Sequence, residues 1–411
     1  MQSPVRCLSD SRYALLMDQA ILQDGTPNMM PYQVERGRSA PYVNHGYLWT
    51  IDIVNGRLLY VYPWGGPLLS LPAVAISDAA GFKVAPRGIY NQRNELELQV
   101  WLAAILCASA VWMFFDLSAQ VLPLGWSVAI ALSAAFGTQL WSTASRSLWP
   151  QTWNLLLISL SIWLLMRPRI RPFTLGTALA WACFTRPQSL LIACIVGVFV
   201  LLEFGWRPLV LYATAGVAWT TGFAVMLLYF FGHLVPPVYR GGLSFPQEFF
   251  FRLGGILVSP SRGLLVFVPV VVVPTYLTAR YWRRLPFRPL GLLAVAAIAA
   301  QMIMTASWVA WWGGGSYGPR LLLDTVPWFV VLTILGVKAF LEDQWLTMPE
   351  RAAVTSIGLL LLTISVAMNA VGAMSVAAAI SWNSNPSIDA NPERVWDWEH
   401  PQFLAWAQRD S

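Results

Sequence analysis

Ten stretches of this chain are apolar over lengths that approach or exceed the about 20 residues a helix needs to cross a bilayer, or are short enough only to be packed inside a bundle. They lie at about 99–116, 123–143, 150–166, 173–185, 187–204, 208–231, 258–279, 288–308, 321–341 and 352–379. No water at bilayer depth satisfies a bare N–H or C=O, so a spanning segment must be a helix or part of a closed barrel, and long unalternating runs predict helices. The expected fold is an all-α integral membrane protein, a multi-span helical bundle of about ten spans. Only 11% of the residues are charged and 57% are hydrophobic, against about 25% charged in an ordinary soluble domain. A soluble globular enzyme is excluded.

Charge sets the orientation. Arg186 and Pro187 either separate two helices or break a single one between Phe173 and Phe204. With two helices, Arg167, Arg169, Arg171, Arg207, Arg280, Arg283, Arg284, Arg288, Lys338 and Arg351 all fall on one side, which the positive-inside rule makes cytoplasmic. With one, the Arg280–Arg288 cluster opposes Arg167–Arg171, so ten spans are retained. Residues 1–97 then form an external segment, 98–380 the transmembrane bundle and 381–411 a short external tail; the loops near 146, 186, 232–257 and 309–320 are external too. A first segment of that length on the far side calls for one more helix upstream, giving eleven spans with a cytoplasmic start. Any active side built from these segments is expected to face outward.

The external segment has structure of its own. After Ser9, Asp10 and Ser11, residues Ala14, Met17, Ala20 and Ile21 keep helical spacing until Gly25 and Pro27, predicting an amphipathic helix on the membrane. Residues 26–56 read as loop, and Trp64–Val74 as a second interfacial stretch. The net charge of +6 suits loops at an anionic membrane surface better than nucleic-acid binding. Neither lysine, Lys83 nor Lys338, follows a glycine-rich turn, so no P-loop is present. Cys107, Cys183 and Cys194 lie in apolar runs and Cys7 stands alone, so neither a disulfide framework nor a zinc site is implied.

Two constellations carry chemistry. Asp10 is either a helix cap or a general base for an acceptor hydroxyl. Arg146, Arg186, Arg252, Arg262 and Arg320 lie in or beside external loops near helix ends, where they either snorkel to headgroups or hold an anion at membrane depth. Ser259-Pro-Ser-Arg-Gly263 leads into a span, presenting backbone N–H groups with a guanidinium beside them. The run Trp308-Val-Ala-Trp-Trp-Gly-Gly-Gly-Ser-Tyr-Gly-Pro-Arg320 combines flat aromatic faces with glycine turns and places Arg320 one turn before Asp324.

The stretches Ser9–Thr26, Leu59–Pro72, Ser259–Pro269 and Trp311–Pro327 resemble bacterial membrane glycosyltransferases of the GT-C class, within it the protein O-mannosyltransferase-like group that includes the aminoarabinose transferases of lipid A. The resemblance implies eleven spans, a donor sugar carried on a polyprenyl phosphate and an external catalytic base at the position of Asp10. It implies location in a bacterial inner (plasma) membrane and transfer of one sugar to an acceptor hydroxyl on a protein, lipid or glycan at its outer face. Arg262 and Arg320, with Arg186 and Arg146, are then expected to hold the lipid phosphate. Tyr60, Tyr62, Trp312, Ser316 and Tyr317 are expected to line the substrate pocket. Two departures stand out: Ser11 and Arg12 follow Asp10 where relatives often carry a second acid, and Thr143–Thr152 offers Arg146 and Gln151 in place of a carboxylate. No cofactor is required by this scheme, and a divalent metal is left open. The rival readings are a transporter or flippase of a lipid-linked sugar, which needs no base, and a scaffold whose arginines anchor lipid.

Overall fold

A buried backbone amide without a partner is costly, so the apolar runs close their own hydrogen bonds as helices. The computed structural model, which describes residues 4–36, 43–239 and 247–407, is mostly helical, with sheet confined to two short hairpins. Parts of segments 1–97, 232–257 and 381–411 therefore lie outside the described residues. The order is α1 (Ala14–Asp24), β1 (Val43–Asn44), β2 (Tyr47–Leu48), β3 (Ile51–Val54), β4 (Arg57–Tyr60), α2 (Gly65–Ala79), α3 (Gln92–Ala119), α4 (Leu124–Phe136), α5 (Gln139–Ser142), α6 (Pro150–Leu165), α7 (Pro172–Thr185), α8 (Ser189–Phe204) and α9 (Trp206–Phe231). Then come α10 (Phe249–Val258), α11 (Leu264–Phe267), α12 (Val272–Arg280), α13 (Arg288–Ala306), α14 (Val326–Glu342), α15 (Met348–Met374) and α16 (Trp382–Ser384).

Among the described residues six helices are long and apolar enough to cross a membrane: α3, α4 with α5, α9, α13, the turn Arg320–Thr325 running on into α14, and α15. The chain is a multi-pass helical membrane protein. The helices α6, α7 and α8, at 16, 14 and 16 residues, are shorter. The run at 258–279 is not one helix. Pro260 and Pro269 remove donors and clash with the preceding turn, so the chain passes from α10 through a bend into four residues of α11, a 3₁₀ turn at Pro269–Val271 and then α12. Between α7 and α8 the chain does turn back. Arg186 is extended, and Tyr212 of α9 touches both Gly176 of α7 and Gly197 of α8, on either side of the turn.

The basic residues gather at one end. Arg167 pairs with Asp116 at the end of α3, Lys338 donates to the Val121 carbonyl, and Arg284 and Arg351 meet Asp343 after α14. Arg320 sits at the opposite end of α14.

Three expectations for the leading segment are corrected. The predicted amphipathic surface helix is buried along its first two turns, Ala14 to Ala20, because α2 packs over it and the hairpins and α3 close the rest. Neither Ser9, Asp10 nor Ser11 caps it. Its N-cap is Tyr13, in the left-handed region at φ 70°, and the exposed amides are taken by a carboxylate from another helix. Residues 51–60, read as loop up to 56, form a hairpin in which Ile51 pairs with Tyr60, turning at Asn55 (φ 51°) and Gly56 (φ 72°). Asn-Gly with both residues at positive φ is the favoured two-residue hairpin turn. The Val-Asn-Gly-Arg sequence carried that signal.

Candidate active site

Glu95, buried near the start of α3, fixes the leading segment. Its carboxylate accepts the backbone N–H of Tyr13 and of Leu15, each at 3.0 Å, and the Tyr90 hydroxyl at 2.5 Å. A negative charge at a helix N-terminus also meets the positive end of the helix dipole. One turn on, Gln99 donates to the Ser11 carbonyl at 2.8 Å and accepts the Ser11 hydroxyl at 2.7 Å and the Leu148 N–H at 3.2 Å. Tyr60 donates to the Asp10 carbonyl from the other side. The backbone at Asp10 is thus clamped from α3 and from β4. Sequence reasoning missed Glu95 and Gln99; two polar residues four apart at the head of an apolar run were the available signal.

The Asp10 side chain reaches Arg320, at 2.8 Å, across 310 positions of sequence, and accepts the Tyr62 hydroxyl at 3.3 Å. Its side chain keeps 18% of its surface open while that of Arg320 keeps 8%. Arg320 also donates to the Gly313 carbonyl at 2.8 Å and lies 4.3 Å over the ring of Trp149, a cation–π distance. Its Nε has no partner among the described residues, which leaves there a buried N–H that a bound anion can accept. The expected i,i+4 contact of Arg320 with Asp324 is absent. Residues 320–325 form a 3₁₀ turn, where three-residue spacing replaces four, and Asp324 faces elsewhere.

Asp324 pairs with Arg186, both side chains almost fully buried, and Arg186 also donates to Gln188 at 2.5 Å. Removing charges from water is repaid only by close pairing of this kind. Tyr239 lies within electrostatic reach of Asp10, Arg320, Arg186 and Asp324, which brings the two ion pairs to one locus. Burial, reinforced by Asp10, pushes the Tyr60 and Tyr62 hydroxyls well above the ordinary tyrosine range. Both stay protonated and act as donors.

The remaining residues expected at the site are placed as follows. Arg262 is buried and gives all its N–H groups to neutral acceptors: the carbonyls of Trp312, Ser261 and Gly314 and the side chains of Gln402 and Asn383. None is left to bind a phosphate directly, although Arg262 and Arg320 line the same small cavity with Trp311 and Trp312. Arg146 donates from Nε to the Val5 carbonyl, from Nη1 to the Ser142 carbonyl and from Nη2 to the Cys7 sulfur. Arg252 donates to the Trp308 carbonyl. Tyr317 is a core residue rather than a pocket wall. Its hydroxyl donates to the Met368 carbonyl at 2.7 Å, and its ring lies so close to Gly372 that a Cβ there would sit 2.2 Å away. Ser316 is buried within the glycine loop, its hydroxyl without a partner among the described residues, and Trp312 donates to Asp389 at 2.9 Å.

An apolar cavity of about 190 Å³ runs between α4, α12, α14 and α15, lined by Trp126, Val271, Phe329 and Leu362 and ending at Thr138, Gln139 and Thr325. Gln139 donates to the carbonyl of Pro319, the neighbour of Arg320. A partly open carboxylate, a guanidinium with a spare N–H and a nearby greasy groove can together take a proton, hold an anion and seat a hydrocarbon chain. Among the described residues no group of three or more His, Cys, Asp or Glu is placed to share a metal.

No family model matches this chain, and no curated protein does. Among solved structures, the crystal structure of ArnT from Cupriavidus metallidurans bound to undecaprenyl phosphate is similar over 90% of this chain and 71% of that one, at 13% sequence identity and a TM-score of 0.46. A likeness this slight decides neither fold nor function.

Proposed function

We propose that this protein is a glycosyltransferase that moves one hexose or pentose from a polyprenyl-phosphate carrier to an acceptor hydroxyl, at the end of the bundle holding Asp10 and Arg320. The observation that carries the reading is the Asp10–Arg320 pair itself: a partly open base beside a buried guanidinium with an unused N–H. In this scheme the acceptor oxygen attacks the anomeric carbon and its proton passes to Asp10. The bond from that carbon to the phosphate oxygen breaks, and its electron pair leaves with the lipid phosphate. That phosphate gains charge in the transition state, and the Arg320 N–H groups are already in place to meet it.

The field around the site favours an anion. Arg186 and Arg320 are each paired with one carboxylate, Asp324 and Asp10, while Arg262 forms no ion pair among the described residues and feels Asp389 against the like charges of Arg320 and Arg394. Arg262 therefore acts through charge and through the loop it holds rather than by touching phosphate. Tyr60 holds the Asp10 backbone and Tyr62 orients its carboxylate, and the apolar groove ending near Pro319 suits the carrier chain. The scheme has no step that needs a metal. The acceptor is of the hydroxyl class, and the active end faces outward.

Asp10→Asn tests the base. A general base typically contributes about a hundred- to ten-thousand-fold in rate. Asn keeps the size and the oxygen facing Arg320 but cannot take a proton. Transfer of radiolabelled sugar from lipid extract to acceptor fractions in membranes should fall by that factor, with the melting temperature in detergent as the folding control. Stable protein with undiminished transfer would remove Asp10 as the base and with it the case for this site.

A further inference from the structure

Besides Asp10 and the Trp149 ring, the carbonyl of Gly313 orients Arg320, and that carbonyl sits in a backbone segment no helix supports. Gly313 and Gly314 both adopt positive φ, at 74° and 62°, and Gly318 at 60°. A loop of this kind keeps its shape only if something else holds it. The carbonyls on either side of Gly313 are both taken by Arg262, Trp312 at 2.6 Å from Nε and Gly314 at 3.1 Å from Nη2. Arg262 is in turn held by two residues from the end of the chain, Gln402 at 2.7 Å and Asn383 at 2.9 Å.

Gln402 does more than complete Arg262. Its Oε1 also accepts the Gly318 N–H at 3.2 Å, and its Nε2 donates to the carbonyls of Ser316 at 2.9 Å and Ala378 at 3.0 Å. The Ser316 carbonyl takes a second bond from Asn383 at 3.0 Å, and the Gly318 carbonyl receives the N–H of Arg320 at 2.9 Å. Gln402 has no exposed surface and all its polar groups are used. A glutamine with one oxygen shared between a guanidinium and a backbone N–H, and one amide shared between two carbonyls, fits this place by both its donors and its acceptor.

We propose that Gln402 is a positioning residue for the site, acting with Asn383 through Arg262 and the loop of residues 312–318 to hold the Arg320 guanidinium where an anion meets it. The segment after α15 is thereby part of the active site without touching a substrate. This rests on the reading of Arg320 as the phosphate-binding residue.

The test is a double-mutant cycle on binding of undecaprenyl phosphate to the purified full chain in detergent. Arg320→Ala alone tests the underlying reading and should weaken binding strongly. Gln402→Ala should weaken it about tenfold, the scale of one or two lost hydrogen bonds, and in the Arg320→Ala background should add nothing. Gln402→Glu keeps the acceptor for Arg262 and the Gly318 N–H but loses the amide donors, and should recover part of the affinity. If Gln402→Ala does not fold, Gln402→Glu takes its place in the cycle. Wild-type binding by the Gln402 variants with binding lost in Arg320→Ala would overturn this proposal and leave the phosphate site standing. So would an equal loss in both backgrounds, which marks a merely structural residue. Undiminished binding by Arg320→Ala would sink the phosphate site and this proposal together.

Discussion

A carboxylate taken out of water must be paired or give up its charge. Asp10 has Arg320 and Asp324 has Arg186, but Asp18, fully buried in α1, has no partner on either oxygen among the described residues. Burial pushes its pKa well above the usual carboxylate range, and the nearby Glu95 adds to the shift. The folded state therefore holds a proton that the unfolded chain loses at about pH 4. Stability from this residue is complete below that pH and declines as pH rises toward the folded pKa. Asp18→Asn does not titrate, so its melting temperature should exceed that of the native chain at neutral pH, with the gap closing toward pH 4. Parallel profiles across that range would mean that Asp18 is ionised in the folded protein.

Helices approach closely where a side chain is missing. The carbonyl of Tyr212 lies 2.3 Å from where a Cβ on Gly176 would be, so α7 and α9, and with them the turn that carries Arg186, are seated by that glycine. Gly176→Ala has to push α9 away, at a cost of about 1–3 kcal/mol for overpacking, and the melting temperature in detergent should fall. Gly216→Ala is the control. It lies on α9 with open space around it, and alanine's better helix propensity should leave stability equal or slightly higher. Equal behaviour of the two variants would mean that α7 and α9 are not held at this distance. At the same scale Trp311 against Gly255 and Tyr317 against Gly372 dock the aromatic loop onto α10 and α15. Tyr317 therefore fills core space rather than a substrate pocket.

Across the whole molecule the charges are sorted by end. Arg167, Arg284, Arg351 and Lys338 bind groups at one end, and Asp10, Arg320, Arg186 and Arg262 converge at the other. If the first end is cytoplasmic, as positive charge favours, the site faces outward. The measurement uses a variant with the four native cysteines replaced. An impermeant thiol reagent on intact cells should label Ser384→Cys, exposed at the site end, and spare Arg283→Cys, exposed at the other. Labelling of position 283 alone would invert the molecule and place the site inside.

Hydrophobic length and charge asymmetry are properties of continuous sequence, and they were enough to predict helices, the break at Arg186 and a common end for the basic residues. Asp10 and Arg320 were each legible as charged residues that precede a helical run, the first as a cap or base before α1 and the second opening a span. Their pairing was not, because nothing local specifies a contact across 310 positions. The roles of the other arginines also depended on tertiary contact. Arg146, Arg262 and Arg320 share one residue type and similar loop settings, and only the acceptors that folding brings to each show that Arg262 gives all five N–H groups to the protein, that Arg146 has a partner on each nitrogen, and that the Arg320 Nε has none among the described residues. The helix cap assigned to the Ser9–Ser11 stretch fell to Glu95 for the same reason. A buried helix end takes whichever carboxylate packing brings to it, and here packing brought one from α3.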